Sequence, residues 1–386
     1  MALRSIEDHF REVFQCEPAV VVRAPGRVNL IGEHTDYNDG FVLPAAIDRY
    51  AWYAGSKTAS GRKVRAYSVD FNDSVEFDLD HNGKDDDHSW SNYFRGVSKF
   101  LEAENVRLPG ADLVLSGNVP REAGLSSSAA VEVGAAVFWQ HLLGLKPDPV
   151  SVAKLTQRAE NDFVGVPCGI MDQFISALGR KDHALFLDCR DLTYRHVPLR
   201  PGVKIVVCNS GVKRALAHSE YQARRSQCAG AVAELRSAGL AVASLRDVGA
   251  ADLETVRHRL TEILFRRARH VVSENGRVLA AVQALEKNDL EQFGALMNRS
   301  HASLRDDYAV SSPELDLLVD LASKQPGVFG ARMTGAGFGG CTVNLVRQET
   351  TADFVEAIRA GYHRALGLQA EVYVFEASDG ALAGAS

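Results

Sequence analysis

The chain has 386 residues, of which 46% are hydrophobic and 24% are charged, and its formal net charge is −6. This is an ordinary globular composition, and because single hydrophobic cores stop growing near ~250–300 residues, two lobes are predicted. The negative net charge argues against a nucleic-acid-binding surface. No stretch approaches the ~20 apolar residues of a membrane span. The first residues carry acidic side chains and no apolar core of a signal peptide.

The cysteines predict a cellular compartment. The six of them are scattered along the chain without a CxxC pair, which indicates neither a zinc site nor a disulfide framework. Reduced cysteines are typical of the cytoplasm, so we expect a cytoplasmic protein. The sequence indicates neither a nucleic-acid nor a membrane partner, and it leaves the oligomeric state open.

The first half of the chain mixes helices and strands. The helical spacing of Leu3, Ile6, Phe10, Val13 and Phe14 predicts an opening amphipathic helix. A β-branched run predicts a strand at Ala19–Val22 that ends at Pro25-Gly26. Further strands are predicted at Val64–Val69, Ser74–Leu79 and Asp112–Ser116, and further helices around Val131–Leu142 and Ser151–Phe163.

The second half begins after a cluster of prolines. Pro198 and Pro201-Gly202 separate predicted strands at Ala184–Asp188 and Lys204–Cys208, and they mark the predicted boundary between lobes of residues 1–200 and 203–386. The second lobe is predicted to be helical over about Lys213–Lys324 and then to form strands at Gly327–Met333, Thr342–Val346 and Glu371–Phe375. Because helices and strands do not alternate strictly, the α+β class is favoured.

A glycine-serine loop joins a predicted strand to a predicted helix. Gly124 is followed by Leu125 and three consecutive serines, Ser126 to Ser128. Glycine lets the backbone approach a ligand closely, and the amides at a helix N-terminus attract anions. A serine hydroxyl there can also bind Mg²⁺. A helix N-cap needs one serine, so three in a row favour phosphate binding over capping alone. The loop has no GxxxxGK[ST] pattern and is not a Walker A loop.

A second glycine-rich string runs from Gly335 to Gly340. It contains GxGxxG, but a dinucleotide fingerprint requires a helix to follow, and Thr342–Val346 reads as a strand. No HRD or DFG sequence accompanies it, as a protein kinase would require. The remaining alternatives are a tight hairpin turn and a loop that approaches a ligand, and four glycines within six residues favour the second.

Two charged segments have ambiguous roles when considered alone. The run from Arg23 to Asn38 packs Arg, Glu, His and Asp into a turn-rich stretch, which suits either a sugar-binding site or a surface loop where Glu33 and Asp36 neutralise Arg27. Asp172 lies in the first turn of a predicted apolar helix, where an isolated aspartate is usually a cap or a dipole partner.

These residues together resemble a known family. The run Arg27–Asn38 is similar to the galactokinase signature, and Gly124–Ala129 and Gly335–Gly340 resemble the second and third motifs of the GHMP small-molecule kinase superfamily. Glu160–Gln173 and Ser300–Tyr308 also resemble galactokinase patterns, so the resemblance covers most of the chain in order. It implies a two-lobed α+β fold with the active site in the cleft between the lobes.

The resemblance also implies an activity and a set of site residues. The activity is ATP-dependent phosphorylation of the anomeric hydroxyl of D-galactose, giving galactose 1-phosphate and ADP as the first committed step of galactose catabolism. Arg27 stabilises the transferring phosphoryl group and orients Asp172, the candidate general base. The sugar ligands implied are Glu33, His34, Asp36, Gly169 and Tyr221. The nucleotide ligands implied are Gly124, Leu125, Ser126, Ser127 and Ser128, with Trp90 either beside the adenine or in the core. The Mg²⁺ ligands implied are Ser128 and Glu160.

The chain departs from the family pattern at two places. Arg121-Glu122-Ala123 stand where small residues or glycines are usual, so Glu122 is expected to weaken nucleotide binding unless Arg121 offsets its charge. Ala336 replaces a common glycine, which is a minor change if its φ is negative. Two other functions remain open: a GHMP kinase for N-acetylgalactosamine or arabinose, and a non-catalytic sensor of galactose and ATP.

Overall fold

The computed structural model describes residues 5–59, 61–121, 123–212 and 217–383. Both halves mix helices with mainly antiparallel strands, and β4 and β6 form a parallel pair, in agreement with the predicted α+β class. The strands are β1 (Val20–Asn29), β2 (Phe41–Val42), β3 (Pro44–Lys57), β4 (Lys63–Ser68), β5 (Asp73–Asp78), β6 (Ala111–Gly117), β7 (His183–Asp188), β8 (Tyr194–Pro198), β9 (Val203–Asn209), β10 (Val328–Thr334), β11 (Cys341–Arg347), β12 (Glu371–Phe375) and β13 (Leu382–Ala383).

The described helices are spread along the chain, and the largest group lies between β9 and β10. They are α1 (Ile6–Phe14), α2 (Asn92–Ala103), α3 (Ser127–Leu142), α4 (Pro149–Arg158), α5 (Met171–Leu178), α6 (Ala217–Ser237), α7 (Ala250–Thr255), α8 (Glu262–Glu286), α9 (Leu290–Ser303), α10 (Pro313–Ser323) and α11 (Thr351–Leu366). Two π-helical turns, Ala159–Val164 and Leu304–Tyr308, continue α4 and α9. No helix in the described ranges is both long and apolar enough to cross a membrane.

The strands form separate sheets in the two halves of the chain. The first large sheet has the order β13-β1-β3-β6-β4-β5, and the second has the order β10-β11-β9-β12. A small sheet, β2-β7-β8, lies beside them. Strand β13, from the far end of the sequence, returns to the first sheet and pairs with β1 at Val22 and Arg23. The predicted lobe boundary near Pro201 stays a prediction.

Strand β1 extends further than the sequence indicated. The prediction that it ends at Pro25-Gly26 is wrong, because the strand continues to Asn29 through a register shift between Pro25 and Arg27. A bulge accommodates proline because the extra residue need not donate to the ladder. A Cβ at Gly26 would lie 2.7 Å from the carbonyl oxygen of Leu125, so glycine lets the glycine-serine loop of residues 124–128, named the phosphate loop after its expected role, pack onto the strand. The continuation carries Arg27 toward the centre of the molecule.

The core is continuous between the two halves of the chain. One apolar cluster packs α2 to α5 on the first sheet, with Phe94, Phe138 and Phe174 fully buried. Another joins β1 to α8, α9 and β11 through residues such as Val28, Val278 and Val343. The segment that follows β1 therefore lies against helices and strands of the second half.

Candidate active site

A cavity of about 380 Å³ brings together residues from distant parts of the sequence. The predicted catalytic and sugar residues all line it. The lining residues are Arg27, Glu33, His34, Asp36, Tyr37, Glu160, Val166, Pro167, Cys168, Gly169, Met171, Asp172, Tyr221, Gly335 and Ala336. They come from the end of β1 and the segment after it, the first π-helical turn, the start of α5 and the segment before it, helix α6, and the glycine-rich hairpin between β10 and β11.

The most strongly organised feature of the cavity is the pair of Arg27 and Asp172. Arg27 Nε donates to Asp172 Oδ1 at 2.7 Å, and Nη2 donates to Oδ2 at 2.7 Å. Burial disfavours the guanidinium charge, but Asp172 outweighs it and the pKa of Arg27 is raised. A bidentate pair of this kind fixes the plane of the carboxylate. The alternative of a surface loop in which Glu33 and Asp36 merely neutralise Arg27 is wrong, because Arg27 and Glu33 are buried and Arg27 forms its ion pair with Asp172.

The phosphate loop is attached to this pair. Arg27 Nη1 donates to the carbonyl oxygen of Gly124 at 2.5 Å, and the backbone N–H of Arg27 donates to that of Leu125 at 3.0 Å. Ser126, in the left-handed region with φ 57°, donates its hydroxyl to Asp172 Oδ2. Ser127 and Ser128 begin α3, where the first amides of the helix lack intrahelical acceptors. Leu125 is buried in the core.

Glu33 connects the first loop to the second half of the chain. Its Oε2 accepts from Arg332 of β10 and, at 3.2 Å, from Asn29, and its Oε1 accepts the backbone N–H of Gly335 at 3.1 Å. Burial raises the pKa of Glu33, although Arg332 opposes that shift. The glycine-rich loop after β10 is thus fastened to the segment that follows β1.

His34 is held neutral beside Glu33. It has φ 63°, and its Nδ1 lies 2.7 Å from the hydroxyl of Tyr37. Burial lowers the pKa of His34 to about 3, so the ring is uncharged at neutral pH. Its Nε2 is buried and has no hydrogen-bond partner among the described residues, so a ligand hydroxyl can pair with it.

Asp36 faces the cavity opposite Asp172. Burial, with the charge of Asp172 as the next cause, raises the pKa of Asp36 to about 7. A Cβ at Gly169 would lie 1.7 Å from Asp36 Oδ2, which explains why glycine is needed at that position. Tyr221 stands 5.4 Å from Tyr37 between ring centroids. Burial raises the pKa of Tyr221 too, and the charge of Arg225 opposes the rise in the pKa of both Asp36 and Tyr221.

Of the two predicted metal ligands, Glu160 lines this cavity and Ser128 lines a second cavity. Glu160 belongs to the first π-helical turn and hydrogen-bonds to Ser128 of α3. Burial, followed by the charge of Asp172, raises the pKa of Glu160. Glu132, one helical turn after Ser128, is fully buried with an unpartnered Oε1. Among the described residues, no group of three or more His, Cys, Asp or Glu side chains forms a ready metal site.

These surroundings still fit Mg²⁺. A hydroxyl, a carboxylate and phosphate oxygens are the hard ligands this ion takes, and it seldom depends on a cage built by protein alone. Glu160 and Glu132 crowd two buried carboxylates together, because Gln173 Nε2 contacts Glu160 Oε2 at 2.5 Å and Glu132 Oε2 at 3.3 Å. A nearby cation would relieve that crowding.

A second cavity of about 140 Å³ adjoins the phosphate loop. Trp90 lines it together with Phe71, Tyr93, Ser127 and Ser128. The Trp90 ring stacks on Phe71 with centroids 6.1 Å apart, and its Nε1 donates to Asp73 at 2.8 Å. The ring is half-buried and also packs against the core. Trp90 therefore has a face on the cavity, as a residue beside the adenine would, and a face on the core.

The departures from the family pattern have clear local surroundings. Arg121 lies over the Phe71 ring at 4.4 Å and 3.5 Å from Asp70. Glu122, for which an effect on nucleotide binding was expected, lies outside the described residues. Ala336 is not among the residues with positive φ, so its methyl group is compatible with the backbone. Gly337 does have φ 85°, and a Cβ there would lie 2.2 Å from the carbonyl oxygen of Val310.

Some residues of the site were not predicted. Arg332 is completely buried yet reaches Glu33 and the carbonyl oxygen of Asn29 at 2.7 Å. A lone arginine inside an apolar strand is a signal that could have revealed it. The contacts of Tyr37 and Arg225 carry no comparable signal, because both residue types are common on surfaces.

Comparison with known proteins finds one consistent set of relatives. Residues 8–57 match the family described as the galactokinase galactose-binding signature, residues 92–180 match the GHMP kinases N-terminal domain, and residues 281–363 match the GHMP kinases C-terminal family. A galactokinase of Roseiflexus sp. (strain RS-1) is 50% identical over 375 residues, which cover 97% of this chain and 95% of the relative. A galactokinase of Chloroflexus aggregans is 52% identical over 360 residues, covering 93% and 92%.

Solved structures have the same fold. The Lactococcus lactis galactokinase complexed with galactose superposes with a TM-score of 0.93 at 38% identity, covering 97% of this chain and 98% of that one. The Methanococcus jannaschii mevalonate kinase superposes with a TM-score of 0.66 at 18% identity, covering 93% and 98%, which shows a shared fold alone.

Proposed function

The chain belongs to the galactokinase family of the GHMP kinases, and on that basis we propose how its cavity phosphorylates the anomeric hydroxyl of D-galactose. ATP is the co-substrate, and galactose 1-phosphate and ADP are the products. The observation that carries the proposal is the bidentate pair of Arg27 and Asp172 inside a cavity lined by the residues of the galactose-binding signature.

Asp172 is the proposed general base. It accepts the proton of the C1 hydroxyl while that oxygen forms a bond to the γ-phosphorus and the bond from phosphorus to the bridging oxygen of ADP breaks. Phosphoryl transfer depends mainly on positioning and charge stabilisation. Arg27 supplies a fixed positive charge beside the reacting oxygens and holds the carboxylate in one plane.

The sugar is proposed to lie between the first loop and helix α6. Asp36 and Glu33 offer carboxylate oxygens, His34 offers its unpartnered Nε2, and Tyr221 closes the side of the cavity. Gly169 contributes the space that Asp36 occupies. Carboxylates and a neutral imidazole are suitable acceptors for the hydroxyl groups of a hexose.

The nucleotide is proposed to lie on the other side of Asp172. The first amides of α3, with Ser127 and Ser128, face the phosphates, and Gly124 and Leu125 shape the approach to them. The adenine is assigned to the cavity beside Trp90. Ser128 and Glu160 would hold Mg²⁺, which when bound neutralises phosphate charge.

We also propose that the reaction takes place in the cytoplasm. All six cysteines are free, which fits a reducing compartment. A protein exported to an oxidising compartment would commonly pair some of them.

The deciding experiment measures galactose-dependent release of ADP and identifies the phosphorylated product by NMR. A panel with N-acetylgalactosamine, arabinose and glucose separates galactose from other sugars. We expect turnover with galactose and a phosphate on C1 of the product. Faster turnover with another sugar of the panel would support the kinase alternative, and binding of galactose and ATP without turnover would support a sensor.

A further inference from the structure

The beginning of the phosphate loop is bonded to the base and its arginine, not to the nucleotide side. Three consecutive residues make these bonds: the carbonyl oxygens of Gly124 and Leu125 accept from Arg27, and the hydroxyl of Ser126 donates to Asp172. Ser126 is absent from the lining of the cavity beside Trp90, whereas Ser127 and Ser128 belong to it. The three serines of the loop therefore differ in what they face.

The backbone conformation at position 126 makes a serine unexpected there. It has φ 57° and ψ 50°, in the left-handed region that glycine adopts freely and other residues rarely adopt. Capping does not explain the serine either, because its side chain makes no cap hydrogen bond to α3. The remaining partner of the hydroxyl is Asp172 Oδ2.

The hydroxyl completes the fixation of the carboxylate. Arg27 contacts both oxygens of Asp172 and defines their plane. Ser126 approaches Oδ2 from a third element, the loop before α3. A carboxylate that is hydrogen-bonded from two directions keeps its free lone pairs aimed at one place.

We propose that Ser126 is a positioning residue for Asp172: its hydroxyl aims the carboxylate at the sugar hydroxyl and contributes to turnover, not to nucleotide affinity. The inference rests on the proposed role of Asp172 as the base. It differs from the expected role of Ser126 as a phosphate ligand, which Ser127 and Ser128 keep.

The test uses Ser126→Gly, because glycine relieves the left-handed backbone while the hydroxymethyl group that reaches Asp172 is removed. We expect kcat to fall about 10- to 100-fold, since a small misplacement of a reacting group has effects of this size. The KM values for galactose and ATP should stay within about twofold of those of the unaltered protein. The melting temperature should be unchanged or higher. Ser126→Ala should lose the same kcat at a lower melting temperature.

A matched control is Asn105→Gly. Asn105 has φ 64°, is exposed and follows α2 away from the cavity. In Asn105→Gly, glycine relieves a left-handed backbone as it does in Ser126→Gly, so the melting temperature should respond in the same way while kcat is unaltered. A kcat of Ser126→Gly within twofold of the unaltered protein would overturn the assignment. A tenfold rise in the KM for ATP at unchanged kcat would overturn it as well, by restoring the phosphate-ligand role.

The proposed function is tested separately by ADP release from the unaltered protein. Absence of galactose-dependent release would count against the function and the inference together. Release by the unaltered protein with full kcat in Ser126→Gly would remove the inference alone.

Discussion

Asp172 is the residue whose chemistry is easiest to isolate by substitution. Asp172→Asn keeps the size of the side chain but removes the charge and the ability to accept a proton. We expect kcat to fall about 10²–10⁴-fold, the usual contribution of a general base. Circular dichroism and the affinity for galactose, measured by calorimetry without nucleotide, should change little. A variant with normal kcat would show that another group takes the proton.

Asp36 should make galactose binding depend on pH. Burial raises its pKa to about 7, so below that pH the empty protein carries a neutral side chain there. An ionised carboxylate accepts stronger hydrogen bonds from sugar hydroxyls. Affinity for galactose is therefore expected to rise as pH increases toward 7 and to level off above it, approaching a tenfold change per pH unit on the acid side. Calorimetric titrations with galactose over a range of pH, on the unaltered protein and on Asp36→Asn, check this. If affinity depends on pH equally in both proteins, Asp36 is not the titrating group.

Gly169 tests whether space at the cavity wall is essential. A methyl group there would overlap Asp36 Oδ2, at a distance of 1.7 Å, so Gly169→Ala should displace that carboxylate. We expect the KM for galactose to rise at least about tenfold, because a displaced group loses its hydrogen bonds to the ligand. Gly83→Ala is the matched control, since a Cβ there meets no atom within 4 Å. Similar KM values in the two variants would contradict the placement of Asp36.

At the scale of elements, the start of α3 and the first π-helical turn meet at the expected metal site. Ser128→Ala and Glu160→Gln each remove an oxygen ligand or its charge. Both should raise the Mg²⁺ concentration that gives half-maximal rate, whereas Thr255→Ala, at the end of the distant helix α7, should not. Direct titration with Mn²⁺ by electron paramagnetic resonance provides a readout that does not depend on turnover. Unchanged Mg²⁺ dependence in both site variants would place the ion elsewhere.

Most elements could be predicted from periodicity, but the longest strand could not. The amphipathic spacing of α1 gave a correct prediction, and the strands predicted at Val64–Val69 and Ser74–Leu79 are confirmed as β4 and β5. Strand β3 was not predicted, because it contains several alanines and Asp48, residue types with weak strand preference. Its position between β1 and β6 is what makes it a strand, and such tertiary pairing leaves no local pattern.

The placement of the site residues was predictable only through resemblance. Composition left the charged segment around Glu33 ambiguous, and the family signature resolved it. The partner of Arg27 lies 145 positions away along the chain, and no local pattern links the two. The bond from Ser126 to Asp172 was likewise hidden, because it depends on a left-handed backbone that residue type alone does not reveal.

At the scale of the whole molecule, Arg332 and Glu33 join the two halves of the chain. Both are buried, and Arg332 also donates to the carbonyl oxygen of Asn29. Removing one partner of a buried pair leaves an uncompensated charge, so Arg332→Ala should lower the free energy of unfolding by about 3–5 kcal/mol. Denaturation in urea measures this. Arg347→Ala, at the exposed end of the next strand, should change the free energy of unfolding by no more than about 0.5 kcal/mol. Equal losses in the two variants would show that the buried pair of Arg332 and Glu33 does not stabilise the fold.

The pairing of β13 with β1 has a consequence for how the protein is made. Residues 382 and 383 form an edge of the sheet that carries Arg27, although they are synthesised long after it. While a ribosome is still elongating the chain, β1 lacks this neighbour and offers unpaired backbone groups to other nascent chains. Completion of the sheet must wait until Leu382 has emerged from the exit tunnel. Chaperones that shield strand edges would therefore be most useful to this protein late in its translation.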